Sequence, residues 1–91
     1  MNIGIIGSGI VGRVLGSAFL KEGHQVMLGT RDTNKPDVVK WLAENNGARA
    51  GSFPDTAAFG ELIVLAISGD IAVQAIGICG IDHFDGKVVI D

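Results

Sequence analysis

The chain has 91 residues, 47% hydrophobic and 19% charged, which is the composition of one small folded domain and excludes a disordered chain. A formal net charge of −3 argues against nucleic acid and anionic membrane as partners, since phosphate backbones are bound by an excess of Lys and Arg. No apolar run approaches the roughly 20 residues that span a bilayer, no signal peptide is visible, and the single cysteine, Cys79, allows no internal disulfide, so a reducing cytoplasm is the expected location.

Asn2–Ile6 is short and apolar and runs into a cluster of glycines, which marks a buried first strand. Over residues 10–22, Val11, Val14, Leu15, Ala18 and Phe19 recur at helical spacing. They predict a helix packed along that stripe, with Gly23 at its C-terminal cap. Gln25–Gly29 is a second strand. Asn34, Pro36 and Asp37 predict the start of a second helix, with Asn34 as its cap. It continues through Val38, Val39, Trp41 and Leu42 and stops at Gly47. Residues 48–51 form a weak third strand, 54–59 a short helix, and 62–67, the most hydrophobic run, a fourth strand. A helix over 70–78, a turn at Asp85-Gly86 and a fifth strand over 87–90 complete the chain.

Strands alternating with helices give parallel strands joined by right-handed crossovers, with helices on both faces. The expected fold is a doubly wound α/β sheet of Rossmann type, one dinucleotide-binding domain over residues 1–91, with strand order 3-2-1-4-5. The order reverses between strands 1 and 4, and ligands bind in the crevice at such a reversal.

Gly7-Ser8-Gly9-Ile10-Val11-Gly12 fits G-x-G-x-x-G. Gly7 permits the tight turn out of the strand, Gly9 lets backbone approach a diphosphate, and Gly12 lets the helix pack on the strand. Free N–H groups and the helix dipole then favour the anion. The pattern alone also fits a glycine-rich turn that binds nothing. Here it follows a predicted strand, opens a predicted helix and precedes a second strand, which is the context dinucleotide binding needs. Gly16, one turn further on, suits close helix–sheet packing.

The end of the second strand selects the cofactor. NAD sites place an acid there for the ribose hydroxyls, whereas NADP sites place a small polar residue and a cation for the 2′-phosphate. The chain has Gly29-Thr30-Arg31-Asp32; Thr30 lies 18 residues after Gly12 and Asp32 lies 20 after it, so spacing does not separate them. Position does: the apolar strand ends at Leu28, which leaves Thr30 at the tip and Asp32 out in the loop. A threonine hydroxyl donates to phosphate, and a guanidinium grips phosphate with two parallel bonds and stacks on adenine. Lys35 adds charge nearby. NADP is therefore expected over NAD, with Arg31 merely solvated and Asp32 merely capping a turn as the bland alternatives.

These residues, with the turn Glu22-Gly23-His24, resemble the NADP-binding domain of coenzyme F420-dependent NADP oxidoreductases. They are also similar to the NADP-binding halves of pyrroline-5-carboxylate reductases and membrane metalloreductases. The Gly-Thr-Arg tip is the more specific part of the likeness, and it implies that Thr30 and Arg31 hold the 2′-phosphate. The likeness continues through Glu61-Leu62-Ile63-Val64-Leu65-Ala66-Ile67-Ser68 and Gly86-Lys87-Val88-Val89-Ile90-Asp91. It implies that Ala66, Ile67 and Ser68, at the tip of the fourth strand, lie beside the cofactor; many relatives carry proline where Ser68 stands. Relatives continue past the fifth strand into a portion that completes the nicotinamide and substrate pocket. Residues 1–91 are thus expected to be the N-terminal part of a longer chain whose partner is deazaflavin F420 or another small molecule.

No other constellation carries chemistry. His24 suits a turn, His83 a solvated loop, and Trp41 and Cys79 packing; no metal-ligand spacing is present. Hydride transfer belongs to the cofactor, so a missing acid or base is no objection to a reductase. The expected function is hydride transfer between NADP(H) and F420 or a small substrate. The alternative is a non-catalytic NADP-sensing module, and a methyltransferase ranks low because Thr30 replaces the acid at the second strand. The fifth strand would leave an unpaired edge, so the isolated domain is expected to be marginally stable or to self-associate there.

Overall fold

A computed structural model of the chain describes residues 1–67 and 87–90. The expected helix over 70–78, the Asp85-Gly86 turn, Ser68, Cys79 and His83 lie outside the described residues.

Five strands, β1 (Asn2–Ile6), β2 (Gln25–Gly29), β3 (Arg49–Gly51), β4 (Leu62–Leu65) and β5 (Val88–Ile90), form one sheet in the order β3-β2-β1-β4-β5. Every pairing is parallel. The chain is an α/β Rossmann domain with the expected strand order. β1 is central: Ile3 stands opposite Val26 and Leu62, and Ile6 opposite Gly29 and Leu65.

The pleat decides which helix covers which face, because alternate side chains on a strand point to opposite sides. Ile3, Ile5, Val26 and Leu28 form one core with Val38 and Trp41, joined by Leu15, Phe19 and Leu20. These residues come from α1 (Ile10–Lys21) and α2 (Pro36–Glu44), which therefore share a face. Ile6 and Ile63, of opposite parity, pack with Phe53 and Ala57 of α3 (Phe53–Phe59). β1 is thus apolar from Ile3 to Ile6, where it is buried on both faces.

α1 packs on a different stripe from the expected one. Gly12 and Gly16 are its buried residues, and Leu15, Phe19 and Leu20 pack against the core. Val11, Val14 and Ala18 are exposed. The packed face is the predicted stripe displaced by one residue, roughly 100° of helix rotation. The cause is close approach: a Cβ at Gly16 would stand 2.7 Å from Trp41 Cζ2, so only glycine admits the indole there. Gly16 thus makes room for α2 as well as for the sheet.

The helix ends follow local chemistry. α1 closes on a left-handed Gly23 (φ +90). The N–H of Gly23 donates to Leu20 O and that of His24 to Phe19 O, each at 3.1 Å, and the His24 ring meets Phe19 edge-on, the hydrogen-bond pattern and apolar contact of a Schellman cap. Asn34 does not cap α2. Lys35 occupies that position without a side-chain bond, and Pro36 sets the first turn. The Asn34 N–H instead donates to Asp32 Oδ1 at 2.9 Å, an Asx turn that stops Asn34 from serving as the cap. α3 is capped by Ser52, whose Oγ accepts from Asp55 N–H at 3.2 Å, so it begins at Phe53, one residue earlier than expected. β4 ends at Leu65, leaving Ala66 and Ile67 beyond the strand. No helix among the described residues is long and apolar enough to cross a membrane.

Candidate dinucleotide-binding cleft

The β1–α1 loop is shaped by what its glycines lack. Gly7 continues the ladder, its N–H donating to Gly29 O at 3.0 Å, and then turns with φ +125. A side chain there would be strained and would also meet Ile67 Cγ2 at 2.6 Å and Ala66 O at 2.7 Å. A Cβ at Gly12 would stand 2.4 Å from Gly7 O. Gly9 differs: a Cβ there would meet nothing within 4 Å. Gly7 and Gly12 are needed by the domain's own packing, whereas Gly9 keeps open a space that the domain does not fill. Gly9 is also the N-cap of α1 and offers no side-chain bond to the first turn. The N–H groups that open α1 are thus left for an anion.

A cleft of about 240 Å³ lies in front of this loop. Gly7, Ser8 and Gly9 form one wall, Gly29 to Asp32 with Lys35 the other, and Phe53 and Ile67 close it. The structure therefore brings Gly7, Ser8, Gly9, Thr30, Arg31, Lys35 and Ile67 together, out of residues scattered from 7 to 67. The remaining motif positions stand elsewhere. Gly12 sits behind the loop, Val11 is exposed, and Ala66 presents its carbonyl to Gly7. Ile10 lines a larger groove of about 460 Å³ on the outer side of α1, with Arg13, Val14 and Trp41. That groove is mostly apolar and lacks the glycine loop, so the smaller cleft is the better anion site.

The two walls are tied together by hydroxyls. Thr30 is buried. Its Oγ1 accepts from Ser8 Oγ–H and from Asp32 N–H, each at 3.2 Å, and donates to Asp32 O at 3.2 Å. The Asp32 carboxylate turns back onto Asn34 N–H. Arg31 is exposed, with Cζ 6.0 Å from the Phe53 ring centroid. Among the described residues the ion pair present is Arg13 with Asp37, at 3.9 Å, so neither Arg31 nor Lys35 has an acidic partner.

Two residues of this region carry little signal in the sequence. Phe53 is one apolar residue among many, and it reaches the cleft through the packing of α3 on Ile6 and Ile63 of the sheet. Arg13 Nε donates to Gly9 O at 3.4 Å while its guanidinium meets Asp37, which ties the loop to α2; its position four residues after Gly9, one helical turn, is the one hint. Trp41 packs as expected, with Nε1–H donating to Arg13 O and Ser17 Oγ, both at 3.0 Å.

The family model for NADP oxidoreductase, coenzyme F420-dependent, matches residues 2–91. The chain belongs to this family. A solved structure from Arthrobacter sp. FB24, assigned as an F420-dependent NADP-reductase, is 32% identical with a TM-score of 0.86, over 96% of this chain and 42% of that one. An imine reductase of Streptomyces aurantiacus (22% identical, TM-score 0.81, 98% of this chain and 30% of that one) shares the fold. So does a variant imine reductase of Myxococcus stipitatus in complex with NAD+ (24%, TM-score 0.82, 97% and 30%). No curated protein sequence matches. The chain spans less than half the length of these solved relatives. Family and fold are those of an NAD(P)-dependent oxidoreductase domain.

Proposed function

We propose that residues 1–91 are the NADP(H)-binding domain of an oxidoreductase that moves hydride between NADP(H) and F420 or a small substrate. The observation that carries this reading is the pairing, across one cleft, of an open glycine loop with two cations, Arg31 and Lys35, that have no acidic partner among the described residues. The N–H groups at Gly9 and the start of α1 take the diphosphate. Arg31 grips the 2′-phosphate, Thr30 holds the tip in shape and presents its hydroxyl, and Lys35 adds charge. Asp32, engaged in its own turn, leaves the ribose site to these residues. Ala66 and Ile67, beyond the end of β4, flank the nicotinamide end. Bound NADP(H) supplies the hydride, and the domain supplies position and electrostatics. The acceptor pocket is assigned to the part of the solved relatives that this chain does not span.

Calorimetric titration with NADPH and NADH, beside Arg31→Ala, tests the cofactor half. Selective NADPH binding that Arg31→Ala weakens is expected; equal binding of both cofactors would return Asp32 to a ribose role and remove the NADP assignment. Hydride transfer is tested by following NADPH oxidation with F420 as acceptor in a chain extended to the length of the relatives. The absence of turnover with any acceptor would count against the enzyme reading.

A further inference from the structure

Phe53 has two surroundings at once. The residue is 6% exposed and packs with Ile6, Ala57 and Ile63. Ser52 caps α3 beneath it, and proline stands in the first turn. A ring held this way does not move without opening the core. The same ring closes the cleft and carries the Arg31 guanidinium, Cζ 6.0 Å from its centroid.

No hydrogen bond or ion pair among the described residues holds the Arg31 guanidinium. A long side chain free in water loses rotamer freedom when it grips a ligand, and that loss weakens binding. A fixed π surface against the cation reduces it. A guanidinium that rests its face on a ring keeps its in-plane N–H donors for an anion.

We infer that Phe53 is a positioning residue for cofactor selection: its ring pre-sets Arg31 at the cleft wall, so that the N–H fork meets a phosphate on the adenosine ribose. The inference rests on the role proposed for Arg31. The ligand class it favours is a dinucleotide with that extra phosphate, over one without it. A second contact of the same kind, Arg49 with Cζ 5.5 Å from the Phe59 centroid, involves no residue of the cleft and serves as an internal control.

The test is calorimetry of the 91-residue chain with NADPH and NADH, for wild type, Phe53→Leu, Arg31→Ala, the double variant and Phe59→Leu. Thermal melting accompanies each variant. Phe53→Leu keeps apolar volume but removes the π face, and is expected to weaken NADPH binding about two- to fivefold while leaving NADH unchanged. In the Arg31→Ala background the same change should do nothing further, and Phe59→Leu should leave the NADPH-to-NADH ratio at the wild-type value. If Phe53→Leu does not melt cooperatively, Phe53→Met carries the same comparison. A wild-type ratio in Phe53→Leu overturns the inference, as does an equal loss with and without Arg31. Wild type without NADPH preference overturns the Arg31 reading and the inference with it, whereas a preference lost in Arg31→Ala but kept in Phe53→Leu overturns the inference alone.

Discussion

The glycine loop and the tip of β2 face each other across one cleft but are built in opposite ways. At Gly7, Gly9 and Gly12 the shape comes from missing side chains, and the groups offered are backbone N–H. At Thr30, Arg31 and Lys35 the shape comes from side chains, held by hydroxyl bonds and by an aromatic ring from α3. Under the proposed function, backbone donors would meet any diphosphate alike, so the loop wall would bind dinucleotides without distinction. The β2 wall, where the ribose substituent would lie, is then the part that tells one dinucleotide from another. Damage to the first wall should therefore affect all cofactors equally, and damage to the second should change their ratio.

The largest effect is expected at Gly12. Alanine there brings Cβ to 2.4 Å from Gly7 O, a backbone atom that cannot swing aside. Gly12→Ala should cost about 1–3 kcal/mol of stability and abolish binding of NADPH and NADH together. Thermal melting with titration checks this, and a stable variant that binds normally would show that the loop is not held against α1 as described. Next is Arg31→Ala, on the other wall. Removal of a charge-assisted contact of about 1.5–3 kcal/mol predicts a loss of roughly 10- to 150-fold for NADPH with NADH and the melting temperature unchanged. A parallel loss for NADH would mean that Arg31 acts on something common to both cofactors.

Gly9→Ala sharpens the comparison within the loop wall. Its Cβ meets nothing in the protein, so the loss of stability should stay within about 1 kcal/mol, the preference for glycine over alanine at an N-cap. The methyl instead fills the space left for a ligand, and affinity for both cofactors should fall about tenfold (about 1.4 kcal/mol). Gly12 and Gly9 are three residues apart in one motif, yet one should fail in the melt and the other chiefly in the titration. Wild-type affinity in Gly9→Ala would place the diphosphate elsewhere.

How far the sequence reveals this cleft follows from the same contrast. The bounds of β1 and β2 are legible because glycines and apolar runs mark them, alternation makes the sheet parallel, and the glycine loop after the first strand points to the Rossmann strand order. The packed face of α1 is not legible from apolar periodicity, since its innermost residues are Gly12 and Gly16, which such a pattern does not count. Counting from Gly12 leaves Thr30 and Asp32 level. Hydrogen bonds separate them, because the Thr30 hydroxyl is buried under Ser8 while the Asp32 carboxylate is spent on Asn34 N–H. Phe53 was out of reach because its place at the cleft depends on how α3 crosses the sheet, a long-range matter that no local pattern encodes.

The smallest effect is expected where α1 meets α2, outside both walls. Trp41→Phe keeps an aromatic ring near Gly16 but removes the N–H that donates to Arg13 O and Ser17 Oγ. The expected cost is about 0.5–1.5 kcal/mol, or roughly 2–12 °C in melting temperature for a domain of this size. The NADPH-to-NADH ratio should not move, since Trp41 touches neither the loop nor the β2 tip. The route by which it would move is specific: Arg13 connects Trp41 through its carbonyl and Gly9 through its side chain. If Trp41→Phe weakens both cofactors equally, that route is open and the loop wall extends through Arg13 to α2. If the ratio itself shifts, the two walls are not independent, and the division between binding and selection fails at its support.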